Sequence, residues 1–227
     1  MREGALPPVI AIDGPAASGK GTVAQGVARA LAFRYLDSGS LYRLVALKAL
    51  DSGVALDDES RLSAVARSLN AAFDDGRIRL DGVDVTGALR SESVSAGASR
   101  VAVYPGVRTA LLSRQRAFRR PPGLVAEGRD MGTIVFPDAE LKIYITASAE
   151  ERAKRRYNQL IDKGNSVTLD SLLRDIRERD ARDSARVAAP LKPAVDAIVL
   201  DTTDMTIDAS IAYVVQRYRA LAVSGAG

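Results

Sequence analysis

A glycine-rich turn between an apolar run and an amphipathic segment constrains the fold of this chain more than any other feature. The apolar run VIAID covers residues 9–13, and the amphipathic segment TVAQGVARAL follows the turn. Within the turn, Gly14, Gly19 and Lys20 match the pattern G-x-x-x-x-G-K. In this pattern the glycines let backbone N–H groups face phosphate oxygens, the helix N-terminus adds partial positive charge, and the lysine reaches the terminal phosphates. The sequence therefore predicts a strand, a phosphate-binding loop over residues 14–22 and a helix.

The residue after the lysine departs from the general pattern. The position that usually carries a magnesium-binding Ser or Thr is Gly21, and the hydroxyl comes one place later, at Thr22. Thr22 can still donate to a phosphate, whereas a metal ion would be held largely by phosphates and waters. The protein ligands of a metal stay unknown at this point. The form GKGT resembles the small nucleoside monophosphate kinases more than the GTPase switches.

Four more short apolar runs follow along the chain: RYLD (34–37), LVAEG (124–128), LKIYIT (141–146) and AIVLD (197–201). Helical patterns such as ASAEERAKRRYNQL come after them. Apolar strands that alternate with helices predict an α/β fold whose parallel sheet is covered on both faces. In such sheets, ligands bind beyond the carboxyl ends of the strands.

The segment 56–96 interrupts this alternation. A helical pattern near 59–72 precedes RIRLDGVDVT (77–86), in which alternating apolar residues flank Asp81 and Gly82. A two-residue Asp-Gly connection is a strong hairpin signal. We therefore predict a small insertion that contains a β-hairpin.

The composition excludes several kinds of chemistry. The chain has no cysteine and no histidine, so disulfides, thiol nucleophiles, imidazole bases and histidine metal ligands are ruled out. The formal net charge is +4, and most of the basic residues are arginines. Arginines suit phosphate oxygens because the guanidinium group donates two parallel hydrogen bonds. No aromatic and basic strand motif accompanies the charge, so we expect no nucleic-acid partner.

The N-terminal region gives no sign of export. The residues VIAI begin like the apolar core of a secretory signal, but Asp13 interrupts the run. No apolar stretch reaches transmembrane length. We therefore expect no signal peptide, no membrane association and a cytoplasmic location.

Two segments near strand ends carry candidate binding residues. In LDSGSLYR (36–43), Asp37 or Ser38 can cap the following helix, and Arg43 is either a phosphate ligand or a solvated helix residue. In AEGRDMGT (126–133), charged residues follow a predicted buried strand directly. The arginine and aspartate of this segment are sequence neighbours that point apart, so a function at the ligand-binding edge is favoured over an ion pair.

The segment RERDARDSAR (177–186) has a helical pattern. Arg179, Arg182 and Arg186 follow spacings of three and four, and Asp183 stands between them. A basic face with one carboxylate suits an anionic sugar phosphate, and a salt-bridged surface helix explains the pattern equally well. Together with ERAKRR (151–156), this helix would form an arginine-lined cover.

These motifs together resemble the bacterial cytidylate kinase family over nearly the whole chain. The matching segments are, in order, IDGPAASGKGT, LDSGSLYR, EGRDMGTIVFPDA, RERDARDSAR and VLDTT. The resemblance implies a five-stranded parallel core of P-loop NTPase type flanked by helices. It implies core residues 1–55, 97–150 and 187–227, a monophosphate-binding insertion at 56–96 and a short helical lid at 151–186.

The resemblance also implies an activity. The family phosphorylates the small-molecule substrates CMP and dCMP with ATP and Mg²⁺, and its members work as monomers. Because the acceptor phosphate is already anionic, no general base is needed, and the absence of histidine is no obstacle. The alternatives are another nucleoside monophosphate kinase, acting on UMP or AMP, and a non-catalytic nucleotide-binding switch.

The roles of the family carry over to matching positions. The loop that binds the ATP phosphates would comprise Gly14, Pro15, Ala16, Ala17, Ser18, Gly19, Lys20, Gly21 and Thr22. The catalytic residues would be Lys20, Arg129, Arg179 and Arg186. The substrate would be bound by Ser38, Tyr42, Arg43, Ser99, Arg108, Arg129, Asp130, Arg179, Asp183 and Arg186. Within this set, the cytosine base would be read by Ser99, Arg108 and Asp130.

Overall fold

The computed structural model describes residues 6–74, 76–162, 164, 166–186 and 188–224. The strands are β1 Val9–Asp13, β2 Arg34–Asp37, β3 Ala71–Asp74, β4 Arg77–Leu80, β5 Val83–Asp84, β6 Leu124–Gly128, β7 Leu141–Thr146 and β8 Ile198–Asp201. The helices are α1 Lys20–Leu31, α2 Ser38–Asp51, α3 Glu59–Arg67, α4 Glu92–Val101, α5 Pro105–Arg116, α6 Ala149–Ile161, α7 Leu169–Ser184 and α8 Ile207–Ser224.

The chain forms two compact units. The first contains Met1–Leu36 and Phe118–Gly227, and the second contains Asp37–Ala117. The predicted insertion at 56–96 lies within the second unit, and its division from the core stays a prediction. The ends of the predicted core at 1–5 and 225–227 lie outside the described residues, as do residue 187 of that core, residue 75 of the insertion and residues 163 and 165 of the lid.

The first unit is built on a five-stranded sheet with the order β2-β6-β1-β7-β8. β1 pairs in parallel with β6 and β7, and β7 pairs in parallel with β8. The predicted parallel α/β fold is confirmed, and β8 begins one residue later than expected. In the register of β1 and β6, Asp13 lies opposite Gly128. The phosphate loop and the segment after β6 therefore leave the sheet at the same edge.

Apolar packing on the faces of the sheet holds this edge in place. Ile10, Ile12 and Ile143 are almost wholly buried and pack with residues of α1 and α8. Burying one such side chain contributes about 1.5–3 kcal/mol. α1 and α8 approach so closely that a Cβ at Gly26 would lie 2.2 Å from Ile211 Cδ1. None of the helices in the described part of the chain combines the length and the apolar character needed to cross a bilayer.

The second unit contains the predicted hairpin and, in addition, a third strand, β3, that was not predicted. β4 and β5 pair in an antiparallel way around Asp81 and Gly82, so the hairpin is confirmed. β3 pairs with β4 on its other side. The helix predicted near 59–72 was too long, because α3 ends at Arg67 and the chain continues into β3. A lone hairpin is marginally stable, and a third strand supplies the missing pairing.

Candidate functional site

The loop between β1 and α1 depends on glycine at two positions. Gly14 has φ +156°, and a Cβ there would lie 2.1 Å from the backbone oxygen of Ile145. Gly19 precedes α1 in the left-handed region with φ 83°. Only glycine takes up both conformations without strain. The strand, loop and helix predicted from the pattern are therefore present, with α1 beginning at Lys20.

Two side chains of this loop suit a polyphosphate. Ser18 is 1% exposed, and its Oγ has no hydrogen-bond partner among the residues that the structure describes. An unsatisfied buried hydroxyl is costly, and a phosphate oxygen would satisfy it. Lys20 is buried; its Nζ donates to Pro15 O at 3.2 Å and lies 3.9 Å from Glu127 Oε2. Thr22, by contrast, is exposed on the first turn of α1.

Two arginines of α6 donate hydrogen bonds to backbone carbonyl groups of the loop. Arg152 is 5% exposed, donates to Ala16 O at 3.2 Å and forms a two-pronged pair with Asp180 at 3.1 and 2.6 Å. Arg155 donates to Ser18 O at 3.4 Å and to Thr202 O at 2.6 Å. These bonds satisfy carbonyl groups of the loop. The sequence pattern placed both arginines on a helix but gave no signal for this role.

Asp13 connects the loop to the turn that follows β6. Its carboxylate accepts from the backbone N–H groups of Met131 and Gly132, both at 2.8 Å. These two residues begin a short π-helical turn directly after Asp130. Burial raises the pKa of Asp13 to about 6, aided by nearby Asp130 and opposed by the two backbone donors and Lys20.

We expect the carboxyl group of Asp13 to titrate near pH 6, against an ordinary value of 3.8. Because the folded-state pKa is the higher one, the linked stability is present below about pH 4 and is lost as the pH rises through about 6. NMR of the side-chain carboxyl carbons, in protein labelled with ¹³C at aspartate, would measure this titration. Asp201 serves as the reference, since its pKa lies below the ordinary value through hydrogen bonds with Thr203. Titration of Asp13 near 3.8 would contradict the expectation.

Three arginines surround one buried aspartate at the same edge of the sheet. Asp183 is 1% exposed; it accepts from Arg129 Nε at 2.9 Å and pairs with Arg186. Arg179 lies close enough to act on its charge. The structure therefore brings Arg129 together with residues more than fifty positions away, a juxtaposition that helical spacing did not predict.

The electrostatics of this cluster are dominated by its arginines. Burial alone would raise the pKa of Asp183, but Arg129, Arg186 and Arg179 outweigh it and hold that pKa below its ordinary value. Arg182 is exposed, and Arg186 lies beyond the end of α7 rather than on the predicted helix face. Guanidinium groups gathered at one place suit an anion such as a phosphate.

The second unit holds the other predicted substrate residues. Asp37 caps α2, accepting from Ser40 N at 3.3 Å, and its carboxylate also pairs with Arg43 Nη1 at 2.9 Å. Ser38 is buried at the first residue of α2. The prediction that Asp37 or Ser38 caps this helix is confirmed for Asp37. Arg43 is thus held near a helix N-terminus, which favours anions.

A second group in this unit combines an arginine, an aromatic ring and a buried hydroxyl group. Arg108 lies on α5 with its guanidinium carbon 5.7 Å from the ring centroid of Tyr42, and it donates to Ala102 O at 3.1 Å. Ser99 on α4 is 4% exposed, and its Oγ has no hydrogen-bond partner within the described ranges. A buried hydroxyl of this kind points to a polar ligand.

The donor chemistry of the described residues limits how a metal is held. Within the described part of the chain, no three acidic side chains or histidines cluster closely enough to hold a metal ion. The oxygen atoms near the loop are instead hydroxyl groups and separate carboxylates. They fit a cation that keeps phosphate and water ligands, as Mg²⁺ does.

Comparison with known proteins agrees with this geometry. The profile of the cytidylate kinase family matches residues 10–220. Cytidylate kinases of Burkholderia cenocepacia (94% of each chain) and Bordetella bronchiseptica (94% of this chain and 96% of the other) are both 58% identical to the chain. A solved structure of an uncharacterized protein from Eubacterium ventriosum shares the fold, with a TM-score of 0.50 and 13% identity over 94% of this chain and 98% of that chain. The chain belongs to the cytidylate kinase family.

Proposed function

We propose that this chain transfers the γ-phosphoryl group of ATP to CMP and dCMP, forming ADP and the pyrimidine diphosphate. A phosphate oxygen of the acceptor attacks the γ-phosphorus in line, and the bond to the β–γ bridging oxygen breaks. The observation that carries the proposal is the cluster of Arg129, Arg179 and Arg186 around Asp183, at the sheet edge from which the phosphate loop emerges. Membership of the cytidylate kinase family supports the same reaction.

The donor is held by the loop between β1 and α1. Ser18 Oγ, Lys20 Nζ and the N–H groups at the start of α1 are the donors available to the triphosphate. When bound, Mg²⁺ would neutralise charge on the β- and γ-phosphates, and its ligands would be largely phosphate and water oxygens.

The arginine cluster stabilises the group in transfer. The transition state of phosphoryl transfer spreads charge over the equatorial oxygens, so positioned cations contribute more than acid–base groups. A single such arginine is worth about 10³–10⁵ in rate. Asp183 keeps these guanidinium groups oriented before the substrate arrives, because it bonds Arg129 and Arg186 directly.

The remaining predicted site residues bind the acceptor. We assign the phosphate and sugar contacts to Ser38, Arg43, Arg129 and Asp183, and the base contacts to Tyr42, Ser99, Arg108 and Asp130. The unsatisfied hydroxyl of Ser99 and the cation–π contact of Arg108 with Tyr42 support a planar polar ligand in the second unit. Asp130 is 4% exposed, so its carboxylate would meet the base in a dry environment.

Base selection follows from the direction of hydrogen bonds. Cytosine carries an exocyclic amino group that donates to a carboxylate such as that of Asp130, and its ring acceptors suit Arg108. Uracil places a carbonyl oxygen where the amino group would be. Two acceptors then face each other, which costs about 1–3 kcal/mol, so UMP should be poorer by roughly 10- to 100-fold.

Replacing Asp130 should narrow the gap between CMP and UMP. We expect Asp130→Asn to lower kcat/KM for CMP and to raise kcat/KM for UMP, since the amide can donate to the uracil oxygen. We expect Asp130→Ala to reduce the ratio of kcat/KM for CMP to kcat/KM for UMP by about 10-fold. Steady-state kinetics with both nucleotides measures the ratio. Asp138→Ala is the matched control, because Asp138 pairs with Arg119 at the surface. An unchanged ratio in both Asp130 variants would remove this residue from base selection.

A coupled assay tests the proposal as a whole. The purified chain is supplied with ATP and Mg²⁺ and with CMP, dCMP, UMP or AMP, and ADP release is followed. The expected result is rapid turnover with CMP and dCMP and slow turnover with UMP and AMP. A preference for UMP or AMP would make the chain another monophosphate kinase. Nucleotide binding without turnover on any acceptor would make it a binding switch.

A further inference from the structure

The turn that follows Asp130 is not capped by the residue that stands before it. Asp130 directly precedes the π-helical turn Met131–Val135, at the position from which an aspartate ordinarily accepts from the first N–H groups of a helix. Its side chain does not cap the turn here. Its backbone oxygen accepts from Ile134 N at 2.9 Å and from Val135 N at 3.1 Å. The first N–H groups of the turn therefore need another acceptor.

Asp13, at the end of β1, is that acceptor. Its two carboxylate oxygens accept from Met131 N and Gly132 N, one each at 2.8 Å, across 118 and 119 positions of sequence. Asp13 is 5% exposed. The one hydroxyl of the turn, on Thr133, is buried and forms no hydrogen bond with the residues that the structure describes. Because hydrogen bonds to a charged acceptor are about twice as strong as neutral ones, β1 fixes the backbone at the start of the turn.

The two aspartates are also coupled through their charges. Asp130 is 4% exposed, and its charge acts on the carboxyl group of Asp13. Two buried carboxylates repel each other, so the free energy is lower when Asp130 stays out of the cap that Asp13 occupies. That repulsion disappears if residue 13 is neutral, and the ordinary capping position is then open to Asp130.

We propose that Asp13 is a positioning residue for base selection: by capping the turn from β1, it keeps the carboxylate of Asp130 out of the cap and directed at the exocyclic amino group of the base. Asp13 acts through Asp130 and need not touch either substrate. The proposal rests on the assignment of Asp130 to the base in the proposed function. It adds that the choice between cytosine and uracil depends on a residue of another strand.

Asp13→Asn tests this role with little change in volume. The amide offers one acceptor oxygen to two N–H groups, and it removes the charge that keeps Asp130 out of the cap. We expect the ratio of kcat/KM for CMP to kcat/KM for UMP to fall by about 10-fold, as far as in Asp130→Ala. KM for ATP should stay unchanged. A ratio that stayed at the native value would overturn the proposal, whatever happened to the melting temperature.

A double-mutant cycle with Asp130→Ala separates positioning from a general loss of structure. If Asp13 acts through Asp130, adding Asp13→Asn to Asp130→Ala should not change the CMP to UMP ratio any further. A purely structural role would lower the melting temperature and would lower kcat for both nucleotides alike. A further fall of the ratio in the double variant would also overturn the proposal, because Asp13 would then act on the base by another route.

Asp201→Asn is the matched control. Asp201 ends β8 as Asp13 ends β1, and its carboxylate accepts from the backbone N–H and the hydroxyl group of Thr203, at 2.9 and 2.6 Å. Asp201 is exposed. We expect this substitution to leave the CMP to UMP ratio unchanged. An equal fall of the ratio in the control would show that any weakened strand end disturbs base selection, which would overturn the proposal.

NMR of the native protein provides a test that does not depend on a variant folding. Because the turn joins the two aspartates, saturation with CMP should shift the backbone amide signals of Met131 and Gly132 and the carboxyl carbon signal of Asp13. Saturation with UMP should shift them less, since uracil offers Asp130 no amino group. Equal shifts with the two nucleotides would overturn the proposal.

Calorimetry distinguishes failure of this proposal from failure of the proposed function. Titration of the native protein and of Asp13→Asn with CMP and with UMP gives the ratio of the two dissociation constants without turnover. If the native chain binds CMP more tightly than UMP and phosphorylates neither, the proposed transfer fails, and Asp13→Asn should still reduce the preference. If the native chain phosphorylates CMP and Asp13→Asn keeps the full preference, the positioning role fails alone.

Discussion

Lys20→Ala is expected to lower kcat by about 10²–10³-fold while the fold survives, the scale found when one preorganised donor is removed from a developing anion. Lys20 is buried at the start of α1 and is the cation of the phosphate loop. Its Nζ already donates within the loop and lies near a carboxylate, so it is oriented before ATP arrives. Steady-state kinetics with ATP and CMP, together with a thermal melt, measures both quantities.

Lys142→Ala is the matched control for that substitution. Lys142 is as buried as Lys20, donates to Pro137 O at 2.6 Å and pairs with Asp196 at 2.9 Å, so the two lysines have similar surroundings. We expect the control to lower the melting temperature and to leave kcat of the folded protein unchanged. Near-native kcat in Lys20→Ala would remove this lysine from the donor site.

Asp183→Asn is expected to destabilise the first unit by about 3–5 kcal/mol, because removing one partner of a buried ion cluster leaves the others uncompensated. The amide would keep the volume of the carboxylate while Arg129, Arg179 and Arg186 lost their shared counterion. The loss of orientation should also raise KM for CMP and lower kcat. Denaturant unfolding and steady-state kinetics measure these changes.

The contribution of Asp183 to the stability of the folded protein should decrease at acidic pH. The pKa of Asp183 in the folded protein is lower than its ordinary value of 3.8. Its stabilising contribution is therefore fully present above about pH 4 and is lost as the pH falls through the folded-state value. The difference between the native protein and Asp183→Asn should shrink in that acidic range. A difference that stayed constant with pH would contradict an ionised aspartate.

Glu150→Gln is the control on the same pair of helices. Glu150 on α6 pairs with Arg177 on α7 at 2.8 Å, but both side chains are more than 60% exposed. Exposed pairs contribute little to stability because water screens them. We expect a small change in melting temperature and no change in kinetics. A loss of stability as large as that of Asp183→Asn would mean that burial does not determine how much such ion pairs stabilise the protein.

Local patterns in the sequence determined much of the fold. Apolar runs predicted all five strands of the parallel sheet, and the Asp81–Gly82 pair predicted the hairpin. The spacing of Gly14, Gly19 and Lys20 predicted the loop, because a phosphate loop needs particular backbone conformations at adjacent positions. Such features depend on neighbouring residues, so they can be seen in the sequence alone.

Tertiary pairing decided where some elements end. The helical pattern near 59–72 continued past Arg67, yet the chain turns into β3 because β4 offers an unpaired edge. In the same way, α7 ends at Ser184, and Arg186 reaches Asp183 from beyond the helix. A periodic pattern does not show which partner an element will meet, and the partner decides the boundary.

The side-chain groupings of the site were decided only by the tertiary structure. The motifs contain Glu127 and Gly21, but they did not show that the glutamate carboxylate lies close to residue 21 or that the hydroxyl of Tyr35 donates to it. Arg129 likewise meets Asp183 across 54 positions of sequence. These contacts join strands and helices that are remote along the chain, so they depend on the order of the strands in the sheet and on close packing. Sequence alone determined which residue types are available to the site, and the folded sheet edge decided which of them act on one another.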